Sequence, residues 1–161
     1  MNVRRSIAVA ATLLVAPLLS SCGFDAPTDQ VYNPAVGVDD RKGQVDVLNA
    51  LVVSGSDGSG VVLASLVNND EANDDTLRGV SGARKDAGLT IRSRGESPVA
   101  AGGLTNLAVD GRVVVRGERV APGNFVSLTF TFDRGEAITV DAPVVSADNP
   151  AYADVQVPAG S

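Results

Sequence analysis

Val126-Ser127-Leu128-Thr129-Phe130-Thr131-Phe132 is the stretch that decides the fold. Apolar residues at 126, 128, 130 and 132 alternate with hydroxyl-bearing residues at 127, 129 and 131. That is the period of two of a strand with one face buried and one face wet. Phe130 and Phe132 fall on the buried side and read as core. Residues 133–136 supply a turn, and Ile138, Val140 and Ala142 resume the alternation. The spacing predicts an antiparallel hairpin near the end of a domain.

The same pattern extends backwards along the chain. Residues 45–53 read as a first strand, ended by the Ser- and Gly-rich loop 54–60. Residues 61–67 are apolar on both faces, as a central strand is. An acidic loop, 68–75, leads to a short strand at 77–80, and residues 89–92 alternate. Residues 104–109 and 112–116 flank Asp110-Gly111, a pair favoured in two-residue hairpin turns, so those two segments are expected to pair with each other. No part of the chain beyond residue 22 keeps a 3.6-residue period over three turns. Seven or eight short strands with Gly and Pro at the breaks predict an all-β sandwich. It spans 44–145, and 146–161, with Pro150 and Pro158, reads as a flexible tail.

The beginning of the chain reads differently. Arg4 and Arg5 precede an apolar run over 7–19 that ends in Leu19-Ser20-Ser21-Cys22. A charged start, an apolar centre and small residues at the end make a secretory leader. Cysteine directly after the small pair resembles the bacterial lipobox, in which the thiol takes a diacylglycerol before cleavage. Residues 1–21 are therefore expected to be a lipoprotein signal peptide. Cys22 is expected to be the lipidated first residue of the mature chain, a palmitate-type anchor in the cell membrane on its extracytoplasmic face. The run is too short for a spanning helix, which needs roughly 20 residues. Residues 22–43, with Pro27, Pro34 and Gly37, read as a tether.

Composition narrows the chemistry. The chain has no histidine, one cysteine and one methionine, Met1. Arg4 and Arg5 leave with the leader, so thirteen basic residues fall to eleven against nineteen acidic ones, and the formal charge moves from −6 to −8. Nucleic-acid binding needs a basic face, and this balance argues against it. Without an imidazole there is no Ser-His-Asp or Cys-His arrangement. A Ser-Lys pair would have to use Lys42 or Lys85, both in polar segments. Zinc and copper call for imidazole, thiolate or thioether donors, which the mature domain lacks. The one candidate for a hard cation, the loop from Asn68 to Asp75, lacks EF-hand spacing and reads as a solvated acidic turn. Adjacent carboxylates such as Asp39-Asp40 and Asp74-Asp75 do not make a glycosidase pair. The glycines at 55–60 and 102–103 are followed by no helix or lysine and make no phosphate loop. Tyr32 and Tyr152 are expected to pack back onto the sandwich. No catalytic, cofactor or metal residues are assigned, and no enzyme activity is expected.

The order of segments is similar to that of a known family. Gly60-Val61-Val62-Leu63-Ala64-Ser65-Leu66-Val67-Asn68-Asn69 is followed by the acidic loop and Thr76-Leu77-Arg78-Gly79-Val80. Val120-Ala121-Pro122-Gly123, the strand 126–132 and Val140-Asp141-Ala142-Pro143-Val144 come later. Together they resemble the periplasmic copper chaperones PCu(A)C, or DUF461, over residues 44–145, in an actinobacterial lipoprotein branch. The resemblance implies a cupredoxin-like Greek-key β-sandwich. It also implies copper held by two histidines and two methionines for delivery to cytochrome oxidase. One such pair aligns with Arg112 and Val114 and the other histidine with the strand 89–94, and no metal ligand stands at either place. The expectation is therefore a membrane-anchored, non-enzymatic protein that binds an unidentified protein partner or serves as an envelope component. The alternative is a copper metallochaperone using a non-standard site or ligands supplied by its partner.

Overall fold

The alternating run is a strand, and its partners are strands throughout. The computed structural model describes residues 36–55, 57–108 and 113–158. The leader, Cys22, Tyr32, Asp110-Gly111 and Arg112 lie outside them. The strands are β1 (Val38–Asp40), β2 (Val45–Ser54), β3 (Ser59–Asn68), β4 (Asp75–Gly82), β5 (Thr90–Ser93), β6 (Ser97–Val99), β7 (Leu104–Asn106), β8 (Val113–Arg116), β9 (Phe125–Phe132) and β10 (Ile138–Ser146). Two single 3-10 turns, Arg84–Asp86 and Pro150–Tyr152, are the helical elements among the described residues.

The strands form two layers joined through β10. One runs β5-β8-β3-β2-β10, with β1 added to β2 and β7 to β3; the other runs β10-β9-β4-β6. Ile138 to Pro143 pair antiparallel with β9, and Val144 to Ser146 pair parallel with β2. Pro143 stands at the changeover. Proline has no N–H to offer a ladder, so it fits where one pairing stops and the next begins.

Alternation places the core between the layers. Val126, Leu128, Phe130 and Phe132 face inwards from β9 and meet Val45, Val47, Val52, Val62 and Leu66 from the other layer. Ser127 and Thr129 face the other way, the latter bonded across the strands to Thr139 at 2.7 Å. The sequence-based reading of an all-β sandwich and of the hairpin 126–142 holds, and β3 is central.

Three expectations need correction. Among the described residues, the segments flanking Asp110-Gly111 do not pair with each other. Leu104, Thr105 and Asn106 pair with Val67, Leu66 and Ser65, and Val114, Val115 and Arg116 pair with Val61, Gly60 and Ser59. They are two collinear pieces along one edge of β3. The long apolar edge of β3 gives both pieces their partner.

The stretch expected as tether already contains β1, which pairs Val38 with Ala50 and Asp40 with Val47 across a bulge. At the bulge Asn49 adopts φ 50°, its backbone N–H donates to Asp39 at 2.7 Å, and its own side chain accepts from Gly37 at 3.0 Å. Polar side chains make that pairing, so apolar periodicity could not reveal it.

The segment expected as a loosely held tail lies on the outer face of the β2–β3 layer. There Tyr152, Val155 and Val157 pack against Leu51, Val53, Val61 and Leu63.

Candidate functional site

The two places to which the family resemblance points are neighbours in space. β5 and β8 pair antiparallel, with Arg92 opposite Val114 and Ile91 opposite Val115. β8 is joined on its other side to β3, so β5 is the outer strand of its layer. Alternation sends Val113 and Val115 into the core with Ile91 packed behind them. Val114 and Arg92 point outwards, Val114 half-buried and Arg92 exposed. Arg94 follows, exposed, just past the end of β5.

These residues do not fit a copper ion. Guanidinium carries five N–H donors and no lone pair to give a metal, and valine has no donor atom. Soft Cu(I) calls for thiolate, thioether or imidazole. Among the described residues no three His, Cys, Asp or Glu side chains come together in a metal-holding group. The edge is cationic as well, which opposes a bare cation. Charges on an outer strand also keep it from pairing with other chains.

The acidic loop between β3 and β4 uses its side chains internally. Asp70 accepts from Ala72 N–H at 2.9 Å and Asn73 N–H at 3.2 Å, and from the Asn73 amide at 2.9 Å. The Asn73 side chain and these backbone bonds lower its pKa below the ordinary carboxylate value. Asn68, buried, donates to the carbonyls of Asn73 and Val99. Asp75 is also buried and accepts four backbone N–H groups, those of Thr76, Asp133, Arg134 and Gly135. The solvated reading fits Glu71, Ala72, Asn73 and Asp74, which are exposed, but not Asn68 or Asp75.

A second polar cluster sits where β4 leaves its layer. After Gly82 the chain turns through Arg84–Asp86, and a Cβ at Gly82 would lie 2.0 Å from the Asp86 carbonyl oxygen. The turn replaces a ladder. Ala83 N–H donates to the Ser127 carbonyl at 2.9 Å, and the Asp86 carboxylate accepts from Ser127 N–H at 2.9 Å. The Asp86 side chain is fully buried and its other oxygen accepts from Arg119 Nε at 2.6 Å. Arg84, at φ 53°, reaches Asp141 with both contacts under 3 Å.

Ser127 Oγ donates to Asp141, and this bond, then that from Arg84, lowers the Asp141 pKa. Arg84, Lys85, Phe125, Ser127 and Asp141 line a cavity of about 540 Å³. Lys85 is thus near a serine, but that hydroxyl is held by Asp141, whose lowered pKa makes it a poorer base. Nothing here activates a nucleophile.

Sequence reasoning missed Asp86, Arg119 and the packing of Val155 and Val157, while the expectation that Tyr152 packs back onto the sandwich holds. Asp86 carried no signal, since a lone carboxylate in a polar stretch reads as solvated. The chain end offered one signal, β-branched residues at 155 and 157 behind an aromatic, within a segment whose prolines suggested a coil.

No protein-family model matches the chain, and no curated protein does. Solved structures do. The apo PCuAC domain from PmoF1 superposes with a TM-score of 0.55 at 17% identity, covering 68% of this chain and 99% of that one. The copper-bound PCuAC domain from PmoF2 gives 0.54 at 14% identity, over 68% and 98%. The apo PmoF2 PCuAC domain gives 0.53 at 17%, over 69% and 97%.

The fold is that of the PCuAC domains. Identity this low establishes the PCuAC architecture and leaves the site to be judged on its own residues. In this PCuAC-like sandwich, Arg92 and Val114 meet on the β5–β8 edge, where the resemblance places copper ligands.

Proposed function

We propose that this protein is an extracytoplasmic, lipid-anchored, non-enzymatic member of the PCuAC fold group. It works in copper handling through a protein partner, with copper as cargo held by the partner's donors. The observation that carries this reading is the match over 68% of this chain to nearly the whole of PCuAC domains, one of them copper-bound. The donor chemistry at Arg92 and Val114 supports assigning the metal ligands to the partner. Cys22 anchors the chain to the membrane, and the acidic charge balance leaves nucleic acid out.

A Cu(I) competition titration with a chelating dye tests the reading, run on the protein alone and on the complex recovered from membranes after cross-linking. Weak binding by the protein alone and stoichiometric binding by the complex are expected. Tight stoichiometric copper on the lone protein would point instead to a non-standard site of its own.

The donor inventory favours a second reading, a copper-free envelope or protein-binding component. It is selected if the cross-linked complex also binds no copper. Replacing Cys22 with alanine should move the protein from the membrane fraction to the soluble extracytoplasmic fraction, and continued sedimentation with membranes would refute the anchor.

A further inference from the structure

The strand order has two ends, and they are finished differently. β6 closes one end and β5 the other. β6 carries Pro98, which has no N–H to offer a further strand. Its carbonyls are also taken, that of Pro98 by the Thr105 hydroxyl at 2.7 Å and that of Val99 by the Asn68 amide at 3.3 Å. β5 has no proline. Thr90, Ile91, Arg92 and Ser93 pair with β8 along one side, and among the described residues no strand adjoins the other side. The outward N–H and C=O groups of such a strand are a template for one more.

Charge marks the same end. Arg41, Arg78, Arg84, Arg119 and Arg134 each lie against a carboxylate, and Arg116 is engaged as well. Arg92 and Arg94 are exposed, and among the described residues no acidic side chain lies against them. In a chain of formal charge −6, two unneutralised guanidinium groups two positions apart reverse the local sign. Ile91, next to Arg92, packs against the core and holds the strand in place.

Building on the reading of a protein partner, we propose that the open edge of β5 receives an extended acidic segment of that partner. The segment adds as a further strand and sets its carboxylates against Arg92 and Arg94. Charge on an outer strand guards it against pairing, but the guard is selective. A basic strand meets like charge, and an apolar strand gains nothing from the arginines. An acidic strand turns the same two residues into attraction. Residues two apart on a strand share a face, so the segment's acidic residues recur at every second position. The positions between them lie beside half-buried Ile91 and suit β-branched apolar residues. Arg92 stands opposite Val114 on this edge, so a partner seated there brings its own donors to the place where the resemblance puts copper ligands.

The test uses the purified protein, without copper, and a short labelled peptide of alternating glutamate and valine. Saturable binding is expected, with slowed amide exchange over residues 90–93. Binding should weaken at least tenfold when glutamine replaces glutamate in the peptide, and at least tenfold when the protein carries Arg92→Glu and Arg94→Glu. With its β circular dichroism intact, that reversed protein should bind the peptide with lysine in place of glutamate. No binding by the unaltered protein, equal binding of the glutamine peptide, protection confined to strands other than β5, or a folded reversed protein that keeps its preference for glutamate overturns the proposal.

N-methylation separates an added strand from ion pairing alone. Methyl groups on the amide nitrogens of the glutamates block one edge of the peptide, and those on the valines block the other. One of the two methylated peptides should lose binding at least tenfold while the other keeps it, and equal affinities for the two overturn the added strand. Copper takes no part in these measurements. Their failure leaves the Cu(I) titration to decide the cargo, and failure of the titration leaves this edge as the seat of a copper-free partner.

Discussion

Replacing Asp75 tests whether the acidic loop is an internal clamp. Its Oδ1 accepts from Thr76 N–H at 2.7 Å, Asp133 N–H at 3.1 Å and Arg134 N–H at 3.2 Å, and its Oδ2 accepts from Gly135 N–H at 3.0 Å. The side chain thereby ties the start of β4 to the turn between β9 and β10. Asp133 N–H has a second acceptor, the Thr76 carbonyl at 3.0 Å, so it is not orphaned by truncation.

Asp75→Ala therefore strips the Thr76, Arg134 and Gly135 N–H groups. A hydrogen bond to a charged acceptor contributes about 1.5–3 kcal/mol. Arg134 is exposed and Gly135 half-exposed, so water recovers roughly half of each loss, and a total near 3 kcal/mol is expected. Asp75→Asn keeps one acceptor oxygen but loses the charge and turns an NH2 group towards an N–H. About 1.5 kcal/mol is expected for it.

Urea denaturation followed by circular dichroism measures both, with the midpoint moving and the slope unchanged. A loss below about 1 kcal/mol for Asp75→Ala, or the same loss for both variants, would refute the clamp.

Further outcomes follow from the same packing. Gly60→Ala places a Cβ 2.7 Å from Val52 and 2.9 Å from Val120, and overpacking of this kind should cost about 1–3 kcal/mol in the same assay. Asp86→Ala leaves Ser127 N–H without its carboxylate and Arg119 without its ion pair. Because Arg119 is partly exposed, the loss should sit near about 3 kcal/mol, the low end for a broken buried pair, and it should shrink when Arg119→Ala is already present. The Asp141 pKa is lowered by Ser127 and then Arg84. A carboxyl lowered by folding adds stability at pH above its unfolded value, about 3.9, and loses that as pH falls through the folded value. Urea midpoints from about pH 5 downwards should thus fall more steeply for the unaltered protein than for Asp141→Asn, and parallel curves would contradict the Ser127 and Arg84 contacts.

Much of this protein was legible in its residues. Alternation over 126–132 and 138–142 set β9, β10 and their facing, because a period of two has one geometric meaning once one side must be buried. The run 61–67, apolar on both sides, told that β3 is central, since both its faces are covered. The absence of histidine, and of thiol or thioether beyond Met1 and Cys22, excluded a conventional copper site before any fold was known.

Tertiary structure decided the rest. It laid 104–106 and 113–116 along β3 and not against each other. It turned Asp75 and Asp86 from surface charges into buried anchors, and it set the chain end onto the outer face of β2 and β3. Each of these depends on which distant surface a segment meets. Sequence periodicity reports the period of a segment and the sidedness of its burial, while partner choice is a competition among whole edges and faces that exist only after the sheets have formed.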